Sequence, residues 1–135
     1  MSTHTVFVYG TLRKGGSNHF RMDGAKFVGK GTVEGGIYLI DSNPELVFPA
    51  LKLDSEGRVV GEVYRVSKTQ LKALDAFEGI SERYEEPYEY RREQASVEME
   101  SGDQAHAWVW EWNSHLDGAT QLLKGDWLLY EPNPS

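Results

Sequence analysis

The chain has no cysteine among its 135 residues. It therefore has no disulfide, no thiol nucleophile and no thiolate metal site, and it fits a reducing compartment, so a cytoplasmic location is expected. Long apolar runs are missing too. Nothing approaches the ~20 residues that a spanning helix needs, and the start Met1-Ser2-Thr3-His4-Thr5 lacks the basic segment of a signal peptide. Positive charge is in the minority, with 14 Lys and Arg against 21 Asp and Glu, and the formal charge of −7 argues against a nucleic-acid backbone as partner. Neither a membrane nor a nucleic acid is an expected partner. The histidines His4, His19, His106 and His115 do not pair at i, i+4 or fall in an H-E-x-x-H spacing, so no metal site is expected. Ser17 and Ser42 lack the G-x-S-x-G setting of a hydrolase nucleophile.

Short apolar runs cut by glycines, with four tryptophans and seven tyrosines, predict mostly β structure around an aromatic-rich core or pocket. The length reads as a single domain over 1–135, large enough to bury its own core. Val6–Tyr9 reads as a buried strand that Gly10 ends abruptly. The loop that follows is either an ordinary surface turn or a cradle whose N–H groups, at Thr11, Leu12 and Arg13, point at an anion or a developing oxyanion. Gly10 to Ser17 approximates a phosphate-binding G-x-x-x-x-G-K-[ST], but Gly16 stands where the lysine must be, so nucleotide binding is not expected.

Further strands are predicted at Ala25–Val33, Ile37–Ile40, Phe48–Leu51, Val59–Val66, Tyr88–Met99 and Ala105–Trp112. Asp41-Ser42-Asn43-Pro44 reads as a loop, Ser101-Gly102-Asp103 as a hairpin turn, and the region of Ala119–Leu123 as a short helix. In the Val59–Val66 strand, Glu62 shares a face with Val60, Tyr64 and Val66, which predicts a wet cavity along that face. Trp108, Trp110 and Trp112 share one face and read as core or as a hydrophobic wall, with a base-stacking platform as the alternative. Arg91-Arg92 reads as cross-strand ion pairing.

The long helix is predicted at Lys68–Glu78. Ser67 with Gln70 fits a capping box, Leu71, Leu74 and Phe77 make the inner stripe, and Gly79 suits the C-terminal cap. Glu78 then sits in the last turn, where the helix dipole disfavours an anion, with Asp75 one turn back and Glu82 following. It is either a solvated helix-end glutamate or a carboxylate whose pKa is raised into the range of a general base.

Two stretches together resemble the gamma-glutamylcyclotransferase-like superfamily. Val8-Tyr9-Gly10-Thr11-Leu12-Arg13 is similar to its Y-G-[ST]-L loop, and Leu74-Asp75-Ala76-Phe77-Glu78-Gly79 to its L-D-x-F-E-G helix end. Gly61-Glu62-Val63-Tyr64 resembles the strand before that helix, and Gly125-Asp126-Trp127 the G-D-W segment of short bacterial members. The nearest branch in pattern is the small gamma-glutamylamine cyclotransferase type. The resemblance implies an α+β fold, a small mixed β-barrel flanked by short helices, with a pocket at one barrel end. It implies release of 5-oxoproline from a gamma-glutamyl amide by attack of its own α-amine, with no cofactor and no metal.

Residue by residue, the resemblance makes Glu78 the acid–base and gives Tyr9, Gly10, Thr11 and Leu12 the glutamyl end of a small-molecule gamma-glutamyl substrate. The family also places a tyrosine after the glutamate, often as Y-x-R. Tyr84 sits at the expected distance, and Tyr90-Arg91-Arg92 keeps the pattern further on, so both are substrate-binding candidates. The acidic stretch Ser81–Glu86 is a candidate lid, and a monomer is expected. Two other classes compete: a non-catalytic small-molecule-binding module of the same fold, and an interaction domain built on the three-indole face.

Overall fold

The computed structural model describes residues 3–43, 46–80, 88–116 and 118–130. Five strands close into a barrel in the order β1 (Thr3–Val8), β5 (Arg58–Ser67), β2 (Lys26–Glu34), β6 (Tyr90–Met99) and β7 (Gln104–Trp112). Neighbours run antiparallel except at the closure, where β1 lies parallel to β7 with Val6 opposite Trp108. A second sheet sets β3 (Gly36–Asn43) between β4 (Leu46–Lys52) and β8 (Thr120–Gln121). One helix, α1 (Lys68–Phe77), and two short 3-10 turns, His19–Met22 and Trp127–Leu129, complete the described elements. The architecture is the expected α+β barrel.

Two apolar layers follow from the alternation of side chains along the strands. Phe7 and Tyr9, Val59 and Val63, Val97, and Ala107 and Val109 face one core, which Ile37, Leu51, Leu122 and Trp127 complete. Val6 and Val8, Tyr64 and Val66, and Trp110 face the other, where Leu71 and Leu74 of α1 cover them. The barrel is tight where β1, β5 and β2 meet. Gly31 pairs with Gly61, and a Cβ on Gly61 would lie 2.3 Å from the Val8 carbonyl oxygen and 2.5 Å from Phe7 Cζ.

Two expectations are corrected. Asp41-Ser42-Asn43 belongs to β3: pairing with β4, resumed at Asn43 opposite Leu46 after a bulge, overrides the turn propensity of those residues. The region of Ala119–Leu123 is no helix. Thr120–Gln121 adds a two-residue strand beside Tyr38 and Leu39, because edge pairing to β3 satisfies its backbone there. Burial also removes the three-indole interaction face. Trp110 is 2% and Trp112 4% exposed, while half-buried Trp108 lies under the Arg92 guanidinium at 4.6 Å.

Helix α1 begins as read. The Gln70 N–H donates to Ser67 Oγ at 3.1 Å, satisfying one of the free donors of the first turn. The Gln70 amide does not close the box. It donates instead to the carbonyls of Arg21 and Asp23 at 3.3 and 3.0 Å, fastening the helix start to the segment after the first loop. At the other end Glu78 is the C-cap, and Gly79 takes φ +87°, the left-handed turn that glycine accepts at no steric cost.

Candidate active site

The end of β1, the end of α1 and the start of β6 bring Tyr9, Glu78 and Tyr90 together. Tyr9 is buried, and its hydroxyl donates to the Trp110 carbonyl at 2.7 Å. The half-buried Tyr90 donates its hydroxyl to the Pro49 carbonyl on β4. Burial first, and the nearby Glu78 carboxylate as a further cause, push both phenols well above their usual range, so both stay neutral donors. With each O–H committed to a carbonyl, the phenol oxygens keep lone pairs for a ligand N–H.

Glu78 is the perturbed acid of this cluster. Burial is the main cause, the Asp75 carboxylate adds to it, and Arg21 opposes it, which leaves the carboxyl at about 8 against an ordinary 4.5. Asp75 is itself pinned. Trp110 Nε1 donates to its Oδ1 at 2.9 Å, and Arg92 lies 3.3 Å from its Oδ2. A fixed negative charge one helical turn away thus helps to hold Glu78 protonated near neutral pH. Arg21 is stacked over Phe77 at 4.2 Å.

The loop after β1 turns its carbonyls inward. Arg13 N–H donates to Gly10 O at 3.1 Å, Asn18 N–H to Thr11 O at 2.9 Å, His19 Nδ1 to Leu12 O at 2.9 Å, and Gly16 N–H to Arg13 O at 2.7 Å. Asn18 Nδ2 also donates to Thr11 Oγ1 at 3.1 Å. The Arg13 N–H, expected as an anion donor, is therefore spent in the turn. Among the described residues, the N–H groups of Thr11 and Leu12 donate to no backbone carbonyl. Gly10 touches β4: a Cβ there would lie 2.6 Å from Pro49 Cγ. Leu12 is buried against the helix-side core.

Arg13 and Glu62 run beneath this loop. Glu62 is 3% and Arg13 5% exposed. Arg13 Nε donates to Glu62 Oε2 at 2.8 Å, while Glu62 Oε1 accepts from the Lys14 N–H at 2.8 Å and the Tyr64 hydroxyl at 3.0 Å. Arg13 Nη1 reaches Asp126 Oδ1 at 2.7 Å. The cavity expected along this face of β5 is present: Glu62 and Tyr64 line a groove of about 990 Å³ with Phe20, Phe27 and Lys30, and there Glu62 is held by Arg13, Lys14 and Tyr64.

Of the expected site residues, Tyr9, Gly10, Glu78 and Tyr90 converge, Thr11 and Leu12 follow in the same loop, and Tyr84 lies outside the described residues. So do Glu82 and the candidate lid Ser81–Glu86. Reading the sequence missed the carbonyls of Pro49 and Trp110 and the anchoring of β4. Leu53 N–H donates to the buried Glu111 at 2.7 Å, and Lys52 Nζ to the Trp112 carbonyl at 3.2 Å. No local pattern marks a backbone acceptor. Arg91 pairs with Glu111 directly across the sheet at 2.8 Å, as its charge pattern indicated.

Comparison with known proteins puts this arrangement in context. The family described as Gamma-glutamyl cyclotransferase, AIG2-like, matches residues 6–129. A Methanocaldococcus jannaschii protein, provisionally named a gamma-glutamylcyclotransferase, is 37% identical over 107 residues, 78% of this chain and 81% of its own length. The bovine (Bos taurus) gamma-glutamylaminecyclotransferase is 38% identical over 88 residues, 59% of this chain and 51% of its own. The solved structure of an AIG2-like protein from Mus musculus superposes with a TM-score of 0.68 at 28% identity, covering 85% of this chain and 80% of the mouse chain. With the Tyr9–Leu12 loop, the helix that ends at Glu78 and all of the barrel but the first three residues of β1 inside the matched span, the chain belongs to the gamma-glutamyl cyclotransferase, AIG2-like family.

Proposed function

We propose that the protein is a cyclotransferase of the gamma-glutamylamine type, cleaving a gamma-glutamyl amide into 5-oxoproline and a free amine. The observation that carries the reading is a raised carboxyl, Glu78 at about 8, set beside two neutral phenols at the end of the strand that leads into the Gly10–Leu12 loop. Family membership supports the reaction class, and the bovine relative supports the amine type.

The chemistry needs one proton moved twice. The substrate's α-ammonium gives a proton to the Glu78 carboxylate, and the freed amine attacks the γ-amide carbonyl carbon. A five-membered ring closes through a tetrahedral oxyanion, for which the Thr11 and Leu12 N–H groups are the donors. Glu78 then returns the proton to the departing nitrogen as the C–N bond breaks, and the ring nitrogen gives up its second proton to the released amine, which departs as its ammonium. One group near pKa 8 is ionised in about one molecule in ten at pH 7, and a balanced acid and base of this kind is worth about 10² to 10⁴ in rate. A well-placed oxyanion donor adds about 2.7–4 kcal/mol. Tyr9 and Tyr90 offer phenol oxygens to the substrate's N–H groups, and folding the glutamyl chain back on itself raises the effective concentration of the amine.

The working assignment is a cytoplasmic monomer acting on a small gamma-glutamyl compound. Among the described residues, no helix is long and apolar enough to cross a membrane. The test is 5-oxoproline release from a panel of gamma-glutamyl amides, with Glu78→Gln as control. Release by the wild type and not by the variant supports the reading, and the ranking of the panel names the amine. Thermal stabilisation by panel members without product would replace it with a binding module.

A further inference from the structure

We infer that Glu62, Arg13 and Asp126 form a clamp that orients the Thr11 and Leu12 N–H groups, making Glu62 a positioning residue for turnover; this rests on the cyclotransferase reading above. The geometry is one-sided. Glu62 spends one carboxylate oxygen on Arg13 Nε and the other on the Lys14 N–H, so it grips two consecutive residues directly after Leu12. Tyr64, two positions along the same strand, donates to the same carboxylate and fixes its rotamer.

Arg13 carries the grip onward. Its Nη1 holds Asp126 at 2.7 Å, and Asp126 Oδ1 also accepts from the Leu128 N–H at 3.1 Å, capping the 3-10 turn of the G-D-W segment. That segment is in turn laid on β5. Val60 N–H donates to the Gly125 carbonyl at 2.8 Å, and a Cβ on Gly125 would fall 1.9 Å from the Arg58 carbonyl oxygen, so the backbone approaches closer than any other residue allows. The loop is thus held between a barrel strand and a segment more than a hundred residues later. With the Gly10–Arg13 carbonyls bonded within the loop and Arg13 and Lys14 held by Glu62, the backbone of Thr11 and Leu12 is fixed from both sides.

Such a network is a poor device for stability alone. Well-packed apolar side chains of like volume commonly replace a buried ion pair without loss, whereas a guanidinium forked between two carboxylates fixes direction. Among the described residues, Glu62, Arg13 and Asp126 make no hydrogen bond or ion pair with Tyr9, Glu78 or Tyr90, so their effect on turnover is indirect.

The experiment compares wild type with Glu62→Gln and Arg13→Lys, reading turnover on the best gamma-glutamyl amide and amide hydrogen exchange together. The expected result is a fall in kcat of roughly 10²-fold with KM little changed, since the lost interaction is made in the transition state. The pH limb set by Glu78 stays where it was. Exchange quickens at Thr11 to Lys14 while the β5 and β7 amides keep their protection. Arg13→Lys, which keeps the charge and loses the fork, behaves like Glu62→Gln. Wild-type kcat in both variants overturns the inference, as does uniformly faster exchange across the barrel, which marks a merely structural role. A wild type without turnover on any amide counts against the cyclotransferase reading instead. The exchange result then decides the clamp by itself: unchanged exchange at Thr11 to Lys14 overturns it.

Discussion

Replacing Glu78 by Gln should stabilise the protein in alkaline solution while abolishing turnover. The carboxyl binds its proton more tightly in the folded chain, at about 8, than at its ordinary 4.5. Between those values the folded state holds more protons than the unfolded one, so this group's contribution is fully present below about 4.5 and is lost as the pH rises through about 8. The difference between about 8 and 4.5, at about 1.36 kcal/mol per pH unit, is a penalty of about 5 kcal/mol once Glu78 is ionised. That is a ceiling, because Glu78 keeps part of its surface in water. Gln has nearly the same shape and no charge to desolvate.

Denaturant unfolding of wild type and variant from pH 4 to pH 9.5 measures this directly, and the difference between the two curves cancels every other titrating group. The gap should open steadily above about pH 5 and reach roughly 2–5 kcal/mol at pH 9. Curves that stay parallel across the range would refute the argument, since a carboxyl at its ordinary pKa leaves no such signature. The same residue would then be a solvated helix-end glutamate with no special claim to the chemistry.

Four further outcomes follow from named contacts. Asp75→Asn removes the fixed charge that helps raise Glu78, so the pKa seen in the pH profile of kcat/KM should move down from about 8 toward the ordinary carboxyl range. Gly61→Ala forces a Cβ against the Val8 carbonyl and Phe7, and should lower stability by about 3 kcal/mol or more in thermal unfolding. Ser67→Ala removes the acceptor for the Gln70 N–H and should cost about 1 kcal/mol, measured by denaturant midpoint, with activity retained. Tyr90→Phe strips the Pro49 carbonyl of its donor and should cost about 1–3 kcal/mol by the same measure.

How much was legible depended on how local the physics was. The β1 strand, the β6–β7 hairpin and the helix from Ser67 to Gly79 declare themselves through alternation, turn chemistry and capping, all decided within a dozen residues. Glu78 was legible in part: Asp75 acts within one turn, but burial, the main cause of its raised pKa, is set by tertiary packing that no local pattern marks. The partners of Tyr9 and Tyr90 were not, because their acceptors are backbone carbonyls 101 and 41 positions away. Glu62 stood out as polar on an apolar face and marked the groove there, but its ion-pair partner Arg13, 49 positions earlier, was not legible. Asp41-Ser42-Asn43 was misread because β4 supplies pairing that outweighs local turn preference. Tyr84 has the expected distance and Tyr90 the Y-x-R pattern; Tyr90 lies near Tyr9 and Glu78, while Tyr84 is outside the described residues.

The reach of Arg13 to Asp126 spans 113 positions, nearly the length of the chain. Synthesis delivers the Tyr9–Leu12 loop more than a hundred residues before its anchor at Asp126. β1 likewise waits for β7 before the barrel closes. Contacts this distant are formed late, after their loop-closure entropy has been offset by nearer pairings. A nascent chain halted after Trp112 would carry every side chain of the Tyr9–Glu78–Tyr90 cluster and still lack the bolt that holds the loop, so competence for turnover would serve as a check that translation has passed Asp126.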